Sequence, residues 1–217
     1  KITDQNENAL ACLNKAELIA KKRKLSIVLA ELYAVRGNLL FTLGRAAECL
    51  VANEASLKYA QQCGSPEAEA RALGGLGDAQ YALGRMRTAQ DYFARCVQLA
   101  ERHGLTRIEV ANRPMWAWTT YFRGRLAAGE EMAFIALERA QKTGNIRAEL
   151  IAHDVLSEIF FQLGDHDRSK HHGEQLLSLT RSIGSTLFEA FGSIILGRWQ
   201  LYCEKDQKSA FATFGRI

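Results

Sequence analysis

The sequence predicts an all-α protein built of stacked antiparallel helix pairs, an α-solenoid. Three observations carry that expectation: a motif that returns every 40 residues, a second glycine series with the same period, and only two prolines in 217 residues. Shifting the chain by 40 superimposes Phe41-Thr-Leu-Gly-Arg45, Tyr81-Ala-Leu-Gly-Arg85, Tyr121-Phe-Arg-Gly-Arg125 and Phe161-Gln-Leu-Gly-Asp165, with Leu201-Tyr-Cys-Glu-Lys205 as a decayed fifth copy. Gly64, Gly104, Gly144 and Gly184 form the second series, so every unit has two turns and two helices. Abundant Ala, Leu, Arg, Glu and Gln favour helix throughout.

A leading helix at about 5–23 ends on Lys21-Lys22-Arg23-Lys24, cations that oppose the negative end of a helix dipole. Full units follow at about 25–64, 65–104, 105–144 and 145–184, then a partial unit at 185–217. Each predicted helix spans about 17 to 19 residues, roughly 26 Å. Ser65 before Pro66, the pair Thr106 and Glu109 read as a capping box, and Asn145 and Ser185 mark helix starts. The glycines suit the left-handed residue that closes a helix. Gly37, Gly77, Ala117, Ser157 and Gly197 repeat a small residue in the first helix of each unit, and Phe41, Tyr81, Tyr121, Phe161 and Leu201 follow four residues later. Cys49, Ala89, Gly129, Ser169 and Ser209 repeat a small residue in the second. Small facing large means close helix approach, and only stacked neighbours bury such hairpins.

This pattern resembles the tetratricopeptide repeat, here with 40 residues per unit and covering nearly the whole chain. The resemblance implies a right-handed superhelix with a concave groove. Arg123, Cys203 and Glu204 depart from it. The stretches Arg36-Gly-Asn-Leu-Leu-Phe41, Ala70-Arg-Ala-Leu-Gly-Gly-Leu-Gly-Asp78, Gly84-Arg-Met86 and Arg107-Ile-Glu-Val-Ala-Asn112 are similar to the C-terminal repeats of bacterial signalling proteins that join a class III adenylate or guanylate cyclase to a STAND or AAA-type ATPase. That similarity implies catalysis upstream and a regulatory role here. The chain opens at Lys1 without Met and stops at Ile217 inside a new helix, as a fragment of a longer chain would.

A net charge of +4, with the two signs interleaved, leaves no footprint for nucleic acid. Neither a membrane span, a secretory signal, a Walker A motif nor a cyclase metal motif is present. Five cysteines without CxxC or Cys/His spacing read as reduced thiols of a cytoplasmic protein, four of them at small or apolar positions. No cofactor is expected.

The candidate site is one stripe of the first helices. Asn38, Asp78, Trp118, Glu158 and Arg198 repeat on it, with Ala34, Gly74, Pro114, Asp154 and Ile194 one turn earlier. By resemblance this stripe lines the groove, where Trp118 and Tyr121, with Tyr81 in register, anchor a protein or peptide segment or an adjacent domain, and Asp78, Asp154 and Glu158 accept a basic residue. The alternative is a plain solvated helix face. Pro114, well inside a helix, predicts a bend that exposes Asn112 and Arg113 to the groove, or a harmless one. Arg113, Asp154 and Glu158 also define a catalytic or small-molecule alternative, weak without a nucleophile or enclosed pocket. His166, His171 and His172 beside Asp165 and Asp167 read as a solvated turn and not as a metal site, since His166 and His171 do not share a helix face. Uncovered terminal hairpins leave homo-oligomerisation as a further reading.

Overall fold

The computed structural model describes residues 2–215; Ile217, where the sequence places a helix in progress, lies outside them. The fold is all-α. In order come α1 (Ile2–Lys22), α2 (Ser26–Thr42), α3 (Ala46–Cys63), α4 (Pro66–Ala82), α5 (Met86–Arg102), α6 (Thr106–Phe122), α7 (Leu126–Thr143), α8 (Ile146–Gln162), α9 (His166–Ile183), α10 (Thr186–Trp199) and α11 (Gln207–Phe214), with a π-helical turn at Gln200–Glu204. The chain divides into two compact units, residues 1–112 and 113–217, inside α6 and just before Pro114.

The turns explain the period. Gly44, Gly64, Gly84, Gly104, Gly124, Gly144, Gly164 and Gly184 all have positive φ, between 63° and 76°, the conformation that a side chain disfavours. Two lysines take the same conformation, Lys24 at φ 54° and Lys205 at φ 56°. Lys24 stands where the glycine period demands a left-handed residue after α1. At the decayed fifth turn Glu204 replaces glycine, and the wider π-helical turn moves the left-handed position on by one residue to Lys205.

Ser65 and Asn145 cap α4 and α8 as expected, accepting the amides of Ala68 (3.3 Å) and Ala148 (3.1 Å). Helix α6 begins at Thr106, so Leu105 and not Thr106 occupies the position equivalent to Ser65, and Glu109 is buried. Ser185 makes no side-chain cap bond.

In the first unit α2 packs on α3, α3 on α4 and α4 on α5. Close approach at the small positions is met by side chains that reach into the gaps. Asn53 of α3 lies where side chains at Gly37 and Gly75 would be, and the Phe93 ring comes within 2.6 Å of any Cβ built on Gly77. Asn53 Nδ2 donates to the Cys49 carbonyl (3.0 Å), while its Oδ1 is buried without a partner. The buried faces of α5, from Ala89 through Phe93, Cys96 and Val97 to Ala100, keep helical spacing. Helix α1 is tied to α2 through Glu17, which accepts from Tyr33 (2.7 Å) and Arg36 (2.6 Å). Burial alone would raise the Glu17 carboxyl; bonds from Lys21, Tyr33 and Arg36 outweigh it and hold it down at about 2.

In the second unit Ala117, Ala133, Val155, Leu156, Ile159 and Phe160 form one core cluster, and α8 packs on α9 and α9 on α10. Ser157 donates across to the Ser169 carbonyl (3.0 Å), so the repeated small positions of α8 and α9 do bring two backbones together.

Candidate interaction surface

The first-helix stripe differs between the units. In the first it is paved with small residues. Asn38 on α2 is exposed, and Asp78 and Tyr81 on α4 are half-buried. Beneath this stretch, burial and then the Asp78 charge push the Cys49 thiol up to about 11 and that of Cys96 to about 12, so both are inert, protonated fillers. Cys49 and Cys96 thus occupy core positions, whereas Cys12 and Cys63 are exposed and Cys203 is half-buried.

Asn112 and Arg113 are not raised into a groove. Asn112 turns its amide onto the Ile108 carbonyl of its own helix (2.8 Å) and fills the notch beside Gly74. Arg113 is 7% exposed. The 40-residue register explains this, because Leu73 and His153, its equivalents, are also buried. Helix α6 continues through Pro114, with Thr119 and Thr120 hydroxyls bonded back to the carbonyls of Met115 and Trp116 (both 2.8 Å). Arg113 therefore stands on the inward face of its helix, which weakens its reading as part of a catalytic cluster with Asp154 and Glu158.

In the second unit the stripe is aromatic and charged, and its members touch. Trp118 stacks on Tyr121 (ring centroids 5.5 Å apart) and meets Phe122 edge-on (4.8 Å). Tyr121 donates its hydroxyl to Glu158 (3.3 Å) on α8, and Arg198 of α10 bonds the other Glu158 oxygen at 2.7 Å. Three successive first helices are thereby joined by one row. Arg198 also lies over the Phe161 ring at 3.8 Å. Burial, then the Glu158 charge, moves the Tyr121 hydroxyl up to about 12. One turn before Glu158, Asp154 is half-buried; burial first and the Glu158 charge second raise its carboxyl to about 7, against the pull of Arg198.

Of the histidines read as a solvated turn and helix start, His171 is exposed and His166 half-buried, but His172 turns inward. His172 is 6% exposed and meets His153, 4% exposed, with the two Nδ1 atoms 2.9 Å apart. Phe160 stacks on His172 at 5.5 Å. The sequence carries no sign of His153, since a single histidine in an apolar helix has no spacing signal and its partner lies on the next helix. Among the described residues no group of three His, Cys, Asp or Glu side chains is placed to hold a metal ion, and no helix is long and apolar enough to cross a membrane.

Residues 28–102 match the family model of the tetratricopeptide repeat. No curated protein matches the chain by sequence. Among solved structures, BtubC (BKLC) from P. vanneervenii is similar with a TM-score of 0.74 and 16% identity, over 100% of this chain and 89% of that one. A Signal Transduction ATPase with Numerous Domains (STAND) protein with a tetratricopeptide repeat sensor, from Pyrococcus horikoshii, gives 0.71 and 18%; 99% of this chain matches only 33% of that one. The apo form of RapI gives 0.80 and 11%, over 97% and 77%. These likenesses establish the fold.

Proposed function

We propose, from the premise that residues 28–102 are tetratricopeptide repeats and that the fold continues through the chain, that this protein is a protein-interaction scaffold whose partner lies on the first-helix stripe. The observation that carries the reading is the continuous row Trp118, Tyr121, Glu158 and Arg198, which offers aromatic anchors beside a fixed charge pair across three helices. Asn38, Asp78 and Tyr81 hold the corresponding register positions in the first unit. No part of the chain is assigned catalysis or a cofactor.

The finer reading is a sensor or regulatory region of a bacterial cytoplasmic signalling protein with a cyclase-linked or STAND-type ATPase upstream. It is supported by the similar sequence stretches and by the likeness to a STAND protein that carries a repeat sensor. Reading the gene upstream tests it: a nucleotide cyclase or Walker-type ATPase is expected, and a start codon directly before Lys1 would reject it. For the stripe, Trp118→Ala and Asp78→Arg should each weaken capture of partners from lysate while the circular dichroism spectrum stays helical. Undiminished capture by both variants would reject this face.

Self-association is a second reading, favoured by Leu18 on α1 and Phe211 on α11, each 71% exposed. Light scattering over a concentration series is expected to show mass rising with concentration if it holds, and a constant monomer mass dismisses it.

A further inference from the structure

The repeats serve as one another's reference, and by that measure the turn between α1 and α2 is the odd one. Leu18 takes the register position held by Lys58, Gln98, Glu138 and Ser178, and Ile27 the one held by Glu67, Arg107 and Arg147, with Leu187 in the partial unit. The polar residues at both positions are exposed, so these positions face water within the stack and not only at its start. Leu18, 71% exposed, and Ile27, 41% exposed, therefore need no missing neighbour to account for them.

Between these aliphatic side chains runs Lys21-Lys22-Arg23-Lys24, followed by Leu25, and all five are exposed. A helix dipole accounts for a cation or two in a last turn, yet α3 closes on Gln61-Gln62-Cys63 and α7 on Gln141-Lys142-Thr143. Four in succession exceed that need. Glu17 pairs with Lys21 (2.6 Å) and Arg36 (2.6 Å), and no acid follows in the sequence before Glu31. Lys24 adds a separate oddity: at φ 54° it holds the left-handed backbone that Gly64, Gly104, Gly144 and Gly184 hold in the other turns of its series. A lysine strained where glycine folds more easily points to a use for its ammonium group.

The chemistry of the turn selects its occupant. A peptide is held in a groove, whereas this turn is a protruding tip. A second copy docked across a two-fold axis would set the cations against their own images. Nucleic acid would use the cations and leave Leu18, Leu25 and Ile27 in water. A lipid surface uses both, with phosphates meeting the cations and aliphatic side chains entering the headgroup layer.

We propose that the α1–α2 turn is a peripheral docking site for an anionic lipid surface, with Lys22, Arg23 and Lys24 at the headgroups and Leu18, Leu25 and Ile27 inserted beside them. It uses none of the stripe residues, so the scaffold reading stands or falls separately.

The test is co-sedimentation of the whole chain with vesicles of phosphatidylcholine, alone or with about 30% phosphatidylserine, in about 0.1 M salt. The anionic vesicles should bind at least about ten-fold more strongly, and less so as salt rises. Lys22→Gln with Lys24→Gly should weaken that binding about ten-fold, the loss expected for two cations at a charged surface. Lys24→Gly also relieves the left-handed backbone, so misfolding would not be the cause. Leu18→Gln with Ile27→Gln keeps every cation and places polar residues where the other units carry them; it too should weaken binding about ten-fold. Equal binding to the two vesicle types, no binding to either, or a glutamine pair that binds as the parent does would overturn the proposal. Soluble polyglutamate or duplex DNA that binds the parent as tightly as the vesicles do, and the glutamine pair equally well, would assign the turn to an acidic macromolecule instead.

Discussion

The two units share one register and fill it differently. In residues 1–112 the tight positions are glycines, and neighbouring helices send Asn53, Phe93 and Asn112 into the gaps. In residues 113–217 the same register carries Ala117 and Ser157, and only at Gly197 a glycine, filled by the Phe214 ring, with Trp118, Glu158 and Arg198 beside them and a buried histidine pair behind. The first unit spends its variation on close packing. The second keeps the packing geometry and places titratable chemistry on it, which is why its responses to pH and to partners should differ.

The largest expected difference is acid sensitivity. Burial holds His153 at about 4 and His172 at about 3, below the ordinary 6.5, with His171 and, for His172, His153 and Arg168 adding to the effect. The unfolded chain therefore takes up protons first as pH falls. The stabilising contribution is complete above about pH 6.5 and declines from there through 4, by roughly 3 to 6 kcal/mol for a pair that titrates as one unit. Hydrogen exchange should show α8 and α9 losing protection at about pH 4.5 while α3 and α4 keep theirs, since Glu17 in the first unit titrates only near 2. Replacing the pair by apolar residues, His153→Leu with His172→Met, should remove the difference. Equal loss in both units would break the comparison.

Glycine substitution should act in the opposite place. Gly77→Ala forces a methyl against Phe93 and Gly75→Ala forces one against Asn53; each should cost about 1 to 3 kcal/mol in urea unfolding and loosen the first unit. Loss below about 0.5 kcal/mol would mean that these rings and amides yield freely.

Asp154 runs against the histidines. Its carboxyl is raised in the folded state, so its contribution is most favourable below about 3.8 and is lost as pH rises through about 7. Asp154→Asn should therefore stabilise the second unit above neutrality, by about 1 to 2 kcal/mol once contact with water is discounted. No gain at about pH 8 would show the carboxylate to be well solvated.

The smallest effects lie at the turns. Lys24→Gly and Lys205→Gly relieve one left-handed lysine in each unit, and each should raise stability by about 1 kcal/mol in thermal unfolding.

The sequence made the helices, the period and the two turn series legible because glycine and small-residue requirements are backbone constraints that recur at fixed spacing. The irregular fifth turn was visible in Glu204, although its solution through a π-helical turn and Lys205 was not. Of the candidate site, the stripe from Trp118 to Arg198 was readable because it too has a period, and the structure adds that its members bond one another. Arg113 follows the inward register of Leu73 and His153, whereas Asn112 and His172 share another reason. Which way a polar side chain turns depends on the neighbouring helix, and Gly74 or His153 can be recognised as its counterpart only once the helices are packed.

The central claim is that partners are met on the first-helix stripe. Photo-cross-linking tests it most directly, with benzoylphenylalanine placed at exposed Asn38 and Gln162 on that stripe and at exposed Glu54 and Glu131 on second helices. Adducts with a partner should form from Asn38 or Gln162 and not from Glu54 or Glu131; adducts confined to the second-helix positions would contradict the account.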